Sequence, residues 1–96
     1  MVVRGIRGAT TISNDNPAEV VAATRELLET LRRENDFNHE DIASILFTVT
    51  ADIRSAFPAQ AAREMGWGLV PLLCFREIEV QGSIPLCIRV LITINT

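Results

Sequence analysis

A chain of 96 residues has room for one domain, and a domain this small buries a modest share of its surface, so self-association would help it. Hydrophobic residues make up 48% of the sequence against 22% charged, which excludes a disordered chain. The formal charge of -3 and pI near 5.0 leave no basic field for a phosphate backbone and argue against nucleic acid as a partner.

Val2 to Thr11 sets small or β-branched residues among Arg4, Arg7, Thr10 and Thr11, which predicts a first strand whose glycines allow close backbone approach. Asn16-Pro17-Ala18-Glu19 then reads as a helix start: Asn16 can cap, Pro17 suits the first helical position and Glu19 can complete a capping box. From Ala18 to about Asn35, Val20, Ala23, Leu27, Leu28 and Leu31 recur at three- and four-residue spacing, the mark of an amphipathic helix with one buried face. After a loop at residues 35–38, Asn38 to Asp41 predicts a helical turn, and Ser44 to Thr50 a second, buried strand.

Pro58 to Met65 is rich in helix formers and is closed by Gly66, so a short helix is expected there. Leu69 to Phe75 predicts a third strand, Val80 to Ser83 a turn, and Leu86 to Thr96 a fourth strand, apolar enough to be central or buried at an interface. The order strand, helix, strand, short helix, strand, strand describes one α/β (α+β) layer structure with a mixed sheet. A single long helix cannot cover both sheet faces, so the chain is expected to hide the rest by assembling with copies of itself.

Cys74 and Cys87 fall in runs that read as neighbouring strands, with no CxxC pair and no nearby histidine, which argues against zinc and for two reduced thiols. Residues 1–4 open no signal-peptide core, and no apolar run approaches the ~20 residues of a membrane span, so a cytoplasmic location is expected. All nine basic residues are Arg, with no Lys. Arg presents a planar fork suited to carboxylates, but a GC-rich genome would give the same skew, and the residues do not decide between the two.

Arg89, inside the apolar run Cys87-Ile88-Arg89-Val90-Leu91, is the sharpest candidate for chemistry. An arginine there must reach an edge, a carboxylate or a ligand, and a structural ion pair with Glu77 or Glu79 is the alternative that the residues alone favour. Arg7 in Gly5-Ile6-Arg7-Gly8 and Arg63 on the short helix read equally as solvated surface residues, and His39 as a solvent-facing turn residue. There is no nucleophile elbow, phosphate loop or dinucleotide turn. Arginines without a nucleophile or metal cluster suit either passive recognition of a multiply charged carboxylate or a reaction that needs charge stabilisation and no covalent step.

Four stretches carry a resemblance: Arg4-Gly5-Ile6-Arg7-Gly8-Ala9-Thr10-Thr11; Ala56-Phe57-Pro58-Ala59 with Arg63; Val70-Pro71 before Cys74 and Glu77; and Cys87-Ile88-Arg89-Val90. Spread over essentially the whole chain and in the right order, they resemble the monofunctional trimeric chorismate mutases of the Bacillus type. The resemblance implies a ferredoxin-like or chorismate-mutase-like fold, three copies forming a pseudo-barrel, and three cofactor-free sites at subunit interfaces. The activity it implies is the Claisen rearrangement of chorismate to prephenate, in the phenylalanine and tyrosine branch of aromatic amino acid biosynthesis.

The same resemblance assigns roles. Arg89 would face the ether oxygen and a substrate carboxylate, Arg7 would bind a carboxylate bidentately, Glu77 would accept a hydrogen bond from the ring hydroxyl, and Cys74 would lie near Arg89 and that hydroxyl. The surrounding segment Leu73-Cys74-Phe75-Arg76-Glu77 would contact the ligand. Phe57 and Ala59 would form an apolar wall from the neighbouring subunit, with Arg63 at the pocket mouth. Gln60 stands where relatives can carry a lysine, and Leu73 replaces a hydroxyl residue, leaving its backbone for contact. The family continues past the last strand with a tyrosine-bearing segment and an arginine-bearing tail, so residues 1–96 are expected to form the domain without that tail and to bind substrate more weakly. Two other readings are a non-catalytic module that holds a carboxylate metabolite and a structural domain in which Arg89 and Glu77 are simply paired.

Overall fold

The strongest local instruction in the chain is Asn16-Pro17, and a long helix begins there in the computed structural model, which describes residues 2–96. The elements are β1 (Val3–Thr11), α1 (Pro17–Asn35), a 3-10 turn (His39–Asp41), β2 (Ile42–Val49), α2 (Ala59–Glu64), β3 (Leu72–Arg76) and β4 (Cys87–Asn95). The Asn16 side chain accepts from the Glu19 N–H at 2.9 Å, satisfying one of the amides that a helix start leaves unpaired. The expected box is not closed: the Asn16 amide donates to the Asn14 carbonyl, and the Glu19 carboxylate takes the Ser13 and Asn14 amides instead, clamping the approach to the helix.

The four strands form one sheet in the order β1-β4-β2-β3. β4 pairs antiparallel with both β1 and β2, and β2 pairs parallel with β3, so the sheet is mixed and the apolar β4 is central. This corrects the reading of the two cysteine strands as neighbours: β2 lies between β3 and β4, and both thiols are free. The element order β-α-β-α-β-β also differs from the βαββαβ order of a ferredoxin-like unit, so the mixed-sheet description is the one that fits.

Alternation along the strands divides the sheet into two unlike faces. Ile88, Val90, Ile92 and Ile94 of β4 are buried on one face with Ile45 and Phe47 of β2, beneath Leu27 and Leu28 of α1 and Ala59 and Ala62 of α2. Gly8 lies on this face of β1, where an added Cβ would come within 3.0 Å of the Leu27 and Leu31 side chains, so glycine sets how closely α1 approaches. Thr24 is buried as well, its hydroxyl donating to the Val20 carbonyl at 2.7 Å. The opposite face carries no helix and exposes Val3, Leu73, Phe75 and Leu91.

Strand boundaries moved where local hydrogen bonds compete with the ladder. β3 starts at Leu72 because the Val70 amide bonds to the Trp67 carbonyl in a turn and Pro71 has no N–H to give, which leaves Leu69 in solvent. β2 stops at Val49, before Thr50, whose hydroxyl donates to Asp52 and accepts from the Cys87 amide. The predicted turn is present, with the Ser83 amide donating to the Val80 carbonyl and Gly82 at a φ of 84°. Among the described residues, no helix is long and apolar enough to cross a membrane.

Candidate active site

Two carboxylates fix the loops that frame the open face. Asp15 accepts from the Arg54 amide at 2.8 Å and from both the amide and hydroxyl of Ser55, which ties the 50–58 connection to the start of α1. Asp52 accepts from the Thr50 hydroxyl and from the Leu86 amide at 3.0 Å. Leu86 has a φ of 49°, a conformation costly for a side chain with a Cβ, and the bond to Asp52 holds it there at the entry to β4.

Arg89 projects from β4 onto the open face, opposite Ala9 of β1 and Thr48 of β2. Arg7 lies on the same face of β1, opposite Leu91. Glu77 follows the last residue of β3, and its amide still donates to the Val49 carbonyl at 2.8 Å, so the β2–β3 pairing delivers it to the same place. Arg7, Thr48, Phe75, Glu77, Arg89 and Leu91 line a cavity of about 580 Å³. That size is within the range of small-molecule sites.

Inside this cavity Arg89 Nη1 donates to Glu77 Oε1 at 2.8 Å, so the ion pair with Glu77 foreseen from the sequence is formed. It is not a dry pair: the side chains of Arg89 and Glu77 are 41% and 27% exposed. Only one of the guanidinium's donors is engaged among the described residues, and Arg7 makes no ion pair there. Two cationic forks therefore face one opening, with most of their donors still available for carboxylate or ether oxygens.

Glu77 is held below its ordinary value, first by the Thr48 hydroxyl beside it and then by Arg89, against the opposing effect of burial. The Thr48 oxygen is itself buried and completes no hydrogen bond, so it acts on the carboxylate as a nearby dipole in the free chain. Asp15 is lowered mainly by the Ser55 hydroxyl and then the Arg54 amide, and Asp52 mainly by the Thr50 hydroxyl and then the Leu86 amide.

A group whose folded value is depressed adds stability above its unfolded value, and that stability is lost as pH falls through the folded one. With ordinary values of 3.8 for the aspartates and 4.5 for Glu77, the denaturant midpoint should stay level from neutral pH to about 5 and then fall steeply. Asp52→Asn should flatten part of that fall. Chemical unfolding followed across pH 7 to 3 checks this, and a stability maximum below pH 4 would count against it.

The remaining predicted residues are elsewhere. Cys74 is opposite Phe47 on the helix-covered face and packs against the core, away from Arg89. Together with Phe57, Gln60, Phe75 and Arg76 it lines a second recess of about 480 Å³ at the β3 edge. Phe57 is 67% exposed there, while Ala59 is buried in the core. Gln60 donates to Glu64 at 2.9 Å, Arg63 is exposed on α2 outside both recesses, and Leu73 is exposed on the open face. One chain thus brings together Arg7, Phe75, Glu77 and Arg89, and keeps the Phe57 group apart. Thr48 and Leu91 also line the first cavity and were missed; the one signal for Thr48 is a hydroxyl within the apolar run from Ile45 to Val49.

Comparison with known proteins adds three findings. The family model described as chorismate mutase type I matches residues 3–96. Chorismate mutase AroH of Bacillus subtilis (strain 168) is 43% identical over 97 residues, spanning 100% of this chain and 76% of that protein, and chorismate mutase AroH of Thermus thermophilus is 51% identical over 96 residues, spanning 99% and 79%. A solved chorismate mutase from Clostridium thermocellum superposes with a TM-score of 0.95 at 49% identity, covering 97% of this chain and 83% of that one.

Proposed function

From the premise that the chain belongs to the chorismate mutase type I family, we propose that the cavity of Arg7, Glu77 and Arg89 is one half of its active site. The protein is a chorismate mutase, an isomerase of aromatic amino acid biosynthesis that converts chorismate to prephenate. The observation that carries the site assignment is the pair of arginine forks turned into one cavity with most of their donors free.

The rearrangement is intramolecular: the carbon–oxygen bond of the ether breaks as a carbon–carbon bond forms, with no proton, electron or group taken from the protein. Negative charge grows on the ether oxygen as the bond stretches. Arg89 supplies a fixed positive charge at that oxygen, worth more to the transition state than to bound substrate. Arg7 holds a carboxylate with two parallel hydrogen bonds, and Glu77, ionised at neutral pH, accepts from the ring hydroxyl. Held at these points, the substrate stays in the compact conformer in which the bonding carbons meet.

The second half of the site comes from another copy. Phe57, Gln60 and Arg63 of one chain, with Ala59 behind them, close over the Arg89 cavity of its neighbour, and three chains arranged in a ring complete three sites while covering the bare sheet faces. The separation of the two recesses on one chain supports this, as do Leu73, Phe75 and Leu91 exposed on the face without helices. Cys74, on the core-facing side of β3, anchors the strand that leads into Glu77, so its contribution is to hold that segment. We read residues 1–96 as a single catalytic domain working in the cytoplasm, where free Cys74 and Cys87 stay reduced.

The test is the loss of chorismate absorbance on adding purified protein, expected to run well above the uncatalysed rate. Folded protein that binds chorismate and leaves it intact would replace this reading with a carboxylate-binding module.

A further inference from the structure

Among the described residues, Thr48 is the one whose side-chain oxygen is fully shielded yet has no hydrogen-bond partner, and it stands on the open face. It sits in β2 opposite Arg89 of β4 on one side and Phe75 of β3 on the other, so both ladders fix its backbone. As a β-branched residue it has few side-chain rotamers, and its hydroxyl hydrogen is free to turn. Glu77 lies beside it, tied by its own amide to the Val49 carbonyl, the next residue along β2. Among the described residues, Arg89 Nη1 is the one side chain within hydrogen-bonding geometry of the Glu77 carboxylate, and the Thr48 hydroxyl stands beside it as the first influence on its ionisation.

That arrangement creates a difficulty once substrate arrives. A bound dianion pulls the same guanidinium toward its own oxygens, and that turn of Arg89 weakens its one hydrogen bond to Glu77. A carboxylate released from its one side-chain bond would swing toward solvent and lose its alignment. We propose that Thr48 is a positioning residue: its hydroxyl donates to the Glu77 carboxylate as Arg89 turns to the substrate, keeping the glutamate aimed at the ring hydroxyl. The unpaired oxygen in the free chain is then a donor held ready for the bound state. This rests on the mutase reading of the cavity.

Other charged groups also face Glu77. Arg89 approaches it from β4, Arg7 from β1 across the cavity, and Asp52 and Glu79 line the adjoining recess that Glu77 shares. Of these, the acids oppose its ionisation and the arginines favour it, so a change confined to Thr48 can be read against a fixed background.

The experiment compares wild type, Thr48→Val and Thr48→Ser. Valine keeps the shape and removes the donor, and serine restores it. For Thr48→Val we expect kcat/KM to fall roughly tenfold or more, as for a lost hydrogen bond to a charged group. The acid limb of its kcat profile, which reports the substrate-bound enzyme, should move upward, toward the ordinary glutamate value of 4.5, with Thr48→Ser close to wild type in both. The Glu77 carboxyl carbon, followed by NMR in the free proteins, should titrate higher in Thr48→Val. A valine variant whose Glu77 titration and acid limb match wild type overturns the proposal, even if its activity falls, because packing alone would explain that loss. A serine variant no better than valine overturns it too. Wild-type turnover of chorismate is the separate check on the mutase reading, and the NMR titration does not depend on it.

Discussion

Arg89→Ala should lower kcat/KM for chorismate by about 10²–10³-fold or more and leave the fold in place, the loss seen when one preorganised donor to a developing anion is removed. The size follows from position. In the proposed site Arg89 would meet the reacting oxygen from the middle of the central strand, fixed by pairing on both sides, so its charge would need no reorganisation as the ether bond breaks. The fold survives because the side chain is 41% exposed, so its loss opens no buried void, and the Glu77 carboxylate left behind is exposed enough to be hydrated. Loss in kcat together with kcat/KM would mark an interaction made in the transition state, whereas a rise in KM alone would reduce Arg89 to a binding group. Circular dichroism and the unfolding midpoint separate either result from misfolding. A variant with near-normal turnover would remove Arg89 from the mechanism.

The bare pairing of Arg89 with Glu77 was legible in the sequence because an arginine in an apolar strand needs a partner, and the nearest carboxylates follow the preceding strand. The same argument ranked the pair as an alternative to a site. The structure shows that the two are compatible: the pair is half in solvent, occupies one donor and stands at the wall of a cavity. The long helix was legible for a local reason as well, since Asn16-Pro17 and the three- and four-residue spacing of its apolar positions act within a few turns.

What stayed hidden depends on long-range pairing. Which face Cys74 takes is set by its register with Phe47, a residue 27 positions away, and a shift of one would have turned it into the Arg89 cavity. The insertion of β2 between β3 and β4 is likewise invisible to any local pattern. Thr24 is absent from the apolar positions that the helical spacing picks out, yet it is buried because the helix itself supplies a partner for its hydroxyl four residues back. Ala59 read as a wall of the site, yet the turn from Phe57 into α2 sends it inward to the core and leaves Phe57 outside.

That last division carries the second large effect. If each site joins the Arg89 cavity of one chain to the Phe57 side of the next, two inactive variants should restore activity when mixed. The pair to use is Arg89→Ala, which disables the first half, and Phe57→Asp, which sets a carboxylate against a dianionic substrate on the second. Phe57 is 67% exposed, so the aspartate should not disturb folding. Each variant alone should be nearly inactive. In rings assembled from equal amounts of both, a site is intact when its cavity comes from a Phe57→Asp chain and its wall from an Arg89→Ala chain. Random assembly meets each condition half the time, giving about one quarter of wild-type sites. Co-refolding the two chains and assaying chorismate loss checks the figure. Mixed assemblies that remain inactive, with exchange of chains verified by mass, would place the whole site within one chain, and Phe57 would then have no part in it.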